Sequence, residues 1–303
     1  MTMLSLALTL LMLTAGALHA QEMPAEYKAV LDALGKTGDY KDGVLKVNIP
    51  RSDLKVSVAG VATPTPFGFG GWVALTPGSG MHVMMGDLVL TESEVNPVMS
   101  VLLERGLDVT ALHNHFFHDS PRIYYMHVHG HGTPAALAAQ LKPALQLIGV
   151  NKEATPAAAG SPIEGTMAGA KLSGVVGYPG EQNGAVYKIT IGRPDLRVKE
   201  MGAAINARMG LNTWAAFYGS DADAVVAGDV AMTDAEVTPV LKALRGHGIE
   251  VVAIHHHMTG TQPPVIFLHY WGRGPAETLA RAVRSAIDVT GARPGTPSTA
   301  RKP

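Results

Sequence analysis

The chain contains no cysteine. Disulfides, thiolate nucleophiles, Cys-based zinc sites and a lipid-modified cysteine are therefore excluded, and any transition-metal site must be built from histidine, carboxylate or methionine. Charge is sparse and balanced: 16% of residues are charged and the formal net charge is −1, which offers no global pull on nucleic acid or an anionic membrane. Basic runs with interleaved aromatics are missing as well, so nucleic acid is not an expected partner. The sequence also lacks a phosphate-cradling glycine loop, a G-x-S-x-G elbow and an H-E-x-x-H helix. What remains is a globular composition with 47% hydrophobic residues, far from the profile of a disordered chain.

One long apolar run is present, at the start. Residues 1–20 carry no charged side chain and end Ala17-Leu18-His19-Ala20 before the polar Gln21-Glu22. This reads as a secretory signal peptide with its apolar stretch from about Leu4 to Leu18, removed by cleavage. The expectation is a periplasmic or secreted protein with no integral membrane span after cleavage.

The rest of the chain repeats itself. Residues 53–132 align without a gap to residues 195–274 at a constant offset of 142, and 26 of the 80 positions are identical. The expected division is repeat 1 at 25–150, a linker rich in Ala, Pro, Gly and Ser at 151–166, repeat 2 at 167–292, and a disordered tail at 293–303.

Each copy shows the same order of elements. Extended runs at Val44–Ile49, Trp72–Thr76 and Val83–Leu90 have counterparts at Val186–Ile191, Trp214–Tyr218 and Val225–Met232. A helix then starts at a capping box, Thr91 with Glu94 or Thr233 with Glu236. Its apolar positions Val95, Val98, Met99 and Leu102, or Val237, Val240, Leu241 and Leu244, follow helical spacing. Gly106 and Gly248 stop it. Two strands (Leu107–His115 and Arg122–Gly130; Ile249–His257 and Val265–Gly272) and a last helix complete the unit. The pattern is α+β: two tandem homologous repeats, each a mixed or antiparallel sheet with two helices, packed as a pseudo-dimer.

Histidine carries the chemistry. His113, His115 and His127 match His255, His257 and His269, so both copies read H-x-H-x₁₁-H. Strand residues two apart share a face about 7 Å apart, and opposed residues across an antiparallel hairpin lie about 5 Å apart. Centring the hairpin near residue 120 places His113 opposite His127, and the three imidazoles of each copy can then converge on one ion. Three histidines with an open position suit catalytic zinc. Zn²⁺ is the first expectation for the ion, with Cu or another first-row divalent metal as the alternative; a buried hydrogen-bonded histidine cluster is the rival reading. His118, His129, His131 and His256 occur in one copy each and are additional ligand candidates. Met81, His82, Met84 and Met85 would suit a soft metal, but the aligned Asp223, Ala224, Val226 and Ala227 lack sulfur, which favours packing.

Other shared positions each have two readings. Glu94 and Glu236 are acid/base candidates already explained by capping. Asp87 and Asp229, each after a glycine, are catalytic candidates, could orient a ligand histidine, or could serve a turn or bulge. Arg51 and Arg193 could hold an anionic substrate or pair with Asp53 and Asp195. Trp72 and Trp214 are candidates for stacking on a small-molecule ligand or for filling the core.

Gly228-Asp229, Glu236-Val237-x-Pro239-Val240, Ile254-His255-His256-His257 and Phe267-Leu268-His269-Tyr270-Trp271-Gly272, with the His113-Asn114-His115 counterpart, resemble a bacterial family of unknown function that includes the mycobacterial LppY/LpqO-type lipoproteins. The resemblance spans both repeats and implies an exported protein with a paired domain, but no reaction. This chain departs from the family in lacking a lipobox cysteine and in having His256 where asparagine is usual. In site geometry alone, the triad is similar to those of acetolactate decarboxylase and alpha-class carbonic anhydrases.

The expected function is that of an exported metal-binding protein with one three-histidine site per repeat, acting as a metal-dependent hydrolase or lyase on a small molecule. The alternatives are a non-catalytic envelope protein that buffers metal, and a ligand-binding scaffold with structural histidines.

Overall fold

The computed structural model describes residues 21–150 and 160–292. The expected signal peptide and tail lie outside these residues, as does most of the expected linker. Repeat 1 contains, in chain order, α1 (Ala25–Leu34), β1 (Gly38–Lys41), β2 (Val44–Pro50), β3 (Val56–Val58), β4 (Val61–Thr63), β5 (Gly70–Pro77), β6 (His82–Thr91), α2 (Glu92–Glu104), β7 (Asp108–His113), β8 (Asp119–Ser120), β9 (Ile123–Gly132) and α3 (Pro134–Leu145). Repeat 2 contains α4 (Gly169–Val176), β10 (Gly180–Asn183), β11 (Val186–Gly192), β12 (Lys199–Glu200), β13 (Ala203–Ala204), β14 (Asn212–Gly219), β15 (Ala224–Met232), α5 (Asp234–Gly246), β16 (Glu250–His255), β17 (Ile266–Gly274) and α6 (Ala276–Asp288). The α+β, two-repeat architecture is as expected. Among the described residues no helix is long and apolar enough to cross a membrane.

Each repeat builds a six-stranded antiparallel sheet, in the order β1-β2-β5-β6-β9-β7 and its equivalent β10-β11-β14-β15-β17-β16. Both faces of the central strands are buried, which is why β6 and β15 read as near-continuous apolar runs instead of alternating with polar residues. On β6, Met84, Leu88 and Leu90 face a core shared with α1, α2 and α3, through Tyr27, Val98 and Leu141 among others. The alternate residues Val83, Met85 and Val89 face the other repeat. Repeat 2 does the same, with Val226, Val230 and Met232 under its own helices and Val225, Ala227 and Ala231 turned to repeat 1. The result is four layers, helices–sheet–sheet–helices. Two apolar clusters formed by residues of both repeats hold the sheets together: one includes Phe67, Phe116, Tyr218 and Trp271, the other Met85, Met209, Met258 and Phe267. Met84 and Met85 are thus packing residues.

The capping boxes form as expected, and their glutamates do more. Arg51 Nη1 and Nη2 donate to Glu94 Oε2 and Oε1 at 2.7 and 3.1 Å, and its Nε and Nη2 donate to Asp53 at 2.9 Å. The backbone N–H groups of Thr91 and Gly149 donate to the same Glu94 carboxylate at 2.8 and 2.7 Å. Arg193, Asp195, Glu236, Thr233 and Gly291 repeat the arrangement. This brace ties the β2 and β11 ends to the start of α2 and α5 and to the end of each last helix. It corrects the sequence reading of Arg51 and Arg193 as substrate-binding groups and of Glu94 and Glu236 as acid/base groups: their polar atoms are engaged inside the fold.

Replacing Arg51 with Leu leaves Glu94, whose side chain is 2% exposed, as a buried carboxylate without its cation. The expected cost is about 3–5 kcal/mol, read as a lowered denaturant midpoint. A loss below about 1 kcal/mol, the range of an exposed pair, would show that the brace is not structural.

Candidate metal centre

A row of polar residues crosses the inner face of each sheet. Trp72 on β5 is directly opposite Asp87 on β6, which is directly opposite His127 on β9. In repeat 2 the row is Trp214, Asp229 and His269. Residues opposed in register share a face, so both rows meet at the plane where the sheets stack.

Each row includes a glycine carbonyl. His127 Nδ1 lies 3.1 Å from the Gly86 carbonyl, and His269 Nδ1 lies 3.1 Å from that of Gly228. A carbonyl only accepts, so Nδ1 carries the proton and Nε2 keeps a free lone pair. That tautomer suits metal ligation. Glycine is required there by close approach: a Cβ on Gly228 would lie 2.2 Å from the Tyr270 hydroxyl, and one on Gly86 would lie 2.5 Å from Val73 Cγ1.

His113 and His255 end β7 and β16, and His115 and His257 fall just past those ends. Asn114 Nδ2 donates to the Ile123 carbonyl at 2.7 Å, pinning this corner to the start of β9. In repeat 2, His256 Nδ1 lies 3.3 Å from the equivalent Val265 carbonyl. His256 thus takes the place of Asn114, and the ligand role considered for it is corrected to a loop tie.

The six shared histidines form one cluster between the repeats. The ring centroids of His113 and His255 lie 3.9 Å apart, His115 and His269 3.6 Å, and His127 and His257 4.2 Å. The last two pairs are equivalent at the offset of 142, so a pseudo-twofold axis passes between His113 and His255. Outside them, His115 stacks on Tyr125 and His257 on the equivalent Phe267.

Donor atoms close enough to share an ion group as His113, His115 and His269; as His113, His127 and His255; and as Asp229, His255 and His257, each set within 4.8 Å. None is the triad of a single repeat. The expectation of one three-histidine site per repeat is corrected here, and the reason is register. A bulge between Val109 and Ala111 sets Ala111 opposite His127 and His113 opposite Tyr125, with the same shift at Ala253 and His255. His113 is therefore two residues off from His127 instead of opposed to it, and its nearest imidazole belongs to the other repeat. The first and third sets share no residue.

All six histidines are buried. Every one has at least one buried ring nitrogen without a hydrogen-bond partner. Burial, followed by repulsion among the imidazoles, holds His113 and His115 well below their ordinary pKa. His127 and His255 are depressed for the same reasons. Burial lowers His257 to about 3, and lowers His269 to about 4 against the opposing pull of Asp229. At neutral pH these are unprotonated imidazoles with lone pairs available.

The carboxylates stand beside them. Asp229 Oδ2 is 3.1 Å from His257 Nε2, and Asp87 Oδ2 is 3.9 Å from His115 Nε2. Burial and the neighbouring Asp229 push Asp87 up to about 8, and burial also raises Asp229.

Two groups that the sequence reading missed flank the centre. Lys46 Nζ sits 4.6 Å over the Trp72 ring, and the equivalent Lys188 Nζ sits 4.4 Å over Trp214. Burial lowers Lys46, and burial with Lys46 nearby brings Lys188 down to about 8. Their signal was available, since Lys46 and Lys188 match at the same offset as the histidines. Trp72 and Trp214 are half-buried beside the centre. His118 is exposed, 4.0 Å from Glu250. His129 and His131 lie further along β9 and meet Glu200 of repeat 2, a residue that motif reading passed over.

A family model described as a domain of unknown function (DUF1259) matches residues 28–147 and again 170–289. The chain belongs to the DUF1259 family. No curated protein matches it. Among solved structures, it is similar to the trimeric bacterial microcompartment shell protein PduB at 14% identity and a TM-score of 0.22, covering 84% of this chain and 91% of that one. EtuB from Clostridium kluyveri gives 9% identity and a TM-score of 0.21 with the same coverage. At these scores the likeness carries no argument about this DUF1259 protein.

Because the folded imidazoles hold off protonation while those of the unfolded chain titrate near 6.5, the unfolded state binds more protons below that pH. The imidazoles' contribution to the stability of the metal-free protein should be full above about pH 6.5 and fall as the pH drops toward the folded values of about 4 for His269 and 3 for His257, outweighing Asp87, whose raised value acts in the opposite direction. Thermal melts between pH 8 and 4 measure this, and a melting temperature flat across that range would contradict it.

Proposed function

We propose that this DUF1259 protein is an exported metalloprotein whose two repeats share one histidine-rich centre, and that the centre acts on a small anionic molecule by hydrolase or lyase chemistry. The observation that supports metal most strongly is the set of buried, unpartnered ring nitrogens. Buried polar groups are nearly always hydrogen-bonded, and a purely structural histidine cluster would pair its nitrogens with each other or with the backbone. Zn²⁺ suits neutral imidazole with carboxylate, and Cu or another first-row divalent ion fits the same donors.

A divalent ion held there would supply Lewis acidity toward a carbonyl or carboxylate oxygen and an acidified bound water. His127 and His269 would hold it through Nε2, their orientation fixed by the glycine carbonyls. Asp87 and Asp229 are the carboxylates within reach of the ligand histidines and would take or give a proton there. Lys46 and Lys188 favour an anionic substrate, with Trp72 and Trp214 as flat apolar walls. Export rests on the apolar start of the sequence and on the likeness to LppY/LpqO-type lipoproteins.

A second reading, non-catalytic metal buffering, draws on the depth of the six histidines and on the overlap of the ligand sets, which would let an ion be held in more than one way. Slow chelator exchange and a substrate-dependent turnover favour the enzyme; fast exchange without turnover favours buffering.

His113→Ala combined with His255→Ala removes a donor from every set in the centre. Elemental analysis of the double variant should show loss of the ions bound there. A folded double variant with the full metal content of the native protein would overturn the reading.

A further inference from the structure

The end of β9 carries histidines that the central cluster does not use. His129 and His131 are two apart on the strand and share its inner face. Glu200, on the short strand β12 of the other repeat, reaches both. Glu200 Oε1 is 2.6 Å from His131 Nε2, and Oε2 is 3.2 Å from His129 Nε2. The donor atoms of all three lie within 4.8 Å of one another. Asp108 Oδ2 stands 3.9 Å from His129 Nδ1, on the side of the ring away from Glu200.

Three observations separate this group from an ordinary buried ion pair. First, Glu200 Oε1 is taken by His131, while Glu200 Oε2 and His129 Nε2 face each other, buried, at 3.2 Å with no other partner. A nitrogen and a carboxylate oxygen facing at that distance can both ligate one ion set between them. Second, the fold does not need these residues. The strand equivalent to β9 is β17, which has Trp271 and Arg273 at the matching positions, and Val58 matches Glu200. Repeat 2 builds the same sheet with them. Third, the His131 side chain keeps 26% exposure, so a hydrated ion has a route in, whereas Glu200 and His129 are 6% exposed and anchored.

We propose that His129, His131 and Glu200 form a second metal site, present on one side of the pseudo-twofold only, that binds a first-row divalent cation through two imidazoles and one carboxylate. Such a donor set leaves coordination positions for water or an exogenous ligand. Asp108 stands 3.9 Å behind the His129 ring, near the place of the outer carboxylate common at histidine-ligated metals. The site bridges the repeats at the edge of the interface and is independent of the six-histidine centre, with which it shares no residue.

The test uses the full mature protein loaded with Zn²⁺ or Co²⁺, gel-filtered and analysed for metal, beside Glu200→Gln with His131→Gln. The variant should lose one equivalent and the matching part of the Co²⁺ visible spectrum. His113→Ala with His255→Ala should keep that equivalent, which separates failure at this site from failure at the centre. If the double variant folds poorly, His131→Gln alone, at a partly exposed position, should weaken the site at least about tenfold in a Zn²⁺ titration. Unchanged stoichiometry and spectrum in a folded Glu200→Gln, His131→Gln protein would overturn the proposal, as would native protein whose only bound metal disappears with His113 and His255.

Discussion

Six buried imidazoles between two sheets set the terms for the rest of this structure. Each repeat could bury its outer face under its own helices and stop there; the inner faces then have to be covered by each other. Apolar clusters do this at both ends of the contact, and the middle is given to histidine, aspartate, lysine and tryptophan. Dehydrating that many polar groups is costly unless they are paired or ligated. The pairing that exists is partial: one nitrogen each of His127 and His269 goes to a glycine carbonyl, and other ring nitrogens around the axis have no protein partner. An ion shared by both repeats, as proposed, would relieve this deficit for several rings at once and bind the two halves into one unit.

The arrangement gives the duplication a function beyond size. A ligand set that draws on both repeats cannot be assembled by one copy within a single chain. The two copies share the residues that meet at the axis and those of the brace. Thr91, Glu94, Gly86, Asp87, His113, His115 and His127 all have identical counterparts, whereas His129 and His131 give way to Trp271 and Arg273. At the far end of β9 and β17 the copies differ: Arg273 pairs with Asp223 on the surface, while His129 and His131 turn to Glu200.

Much of this was legible in the sequence because it is local. Capping boxes, helical spacing and the glycine stops placed α2 and α5, and the extended apolar runs placed the long strands to within a residue or two. Period-two parity put the three histidines of each copy on one face, correctly. What parity does not carry is the offset within that face. The hairpin register, with a one-residue bulge between Val109 and Ala111, sets His113 opposite Tyr125, two residues short of His127, and nothing in the local pattern announces it. Contacts between sheets are further from reach still. Glu200 sits in a two-residue strand with no motif around it, and its histidines are 69 and 71 positions away in sequence. The short strands β3, β4, β8, β12 and β13 and the first helix of each repeat also escaped, since their few residues carry little periodicity. Arg51 and Glu94 showed the opposite error: residues shared by both copies and rich in chemistry turned out to hold the fold.

The central claim is that metal binds between the repeats with ligands from both. Anomalous diffraction at the absorption edge of the bound metal, on crystals of the metal-loaded protein, tests it most directly. The account predicts anomalous density among His113, His115 and His269 and among Asp229, His255 and His257, so that at least one ion has ligands from both repeats. Density held only by His113, His115 and His127, or only by His255, His257 and His269, would contradict the shared centre. An interface without any anomalous density would contradict the metal reading itself.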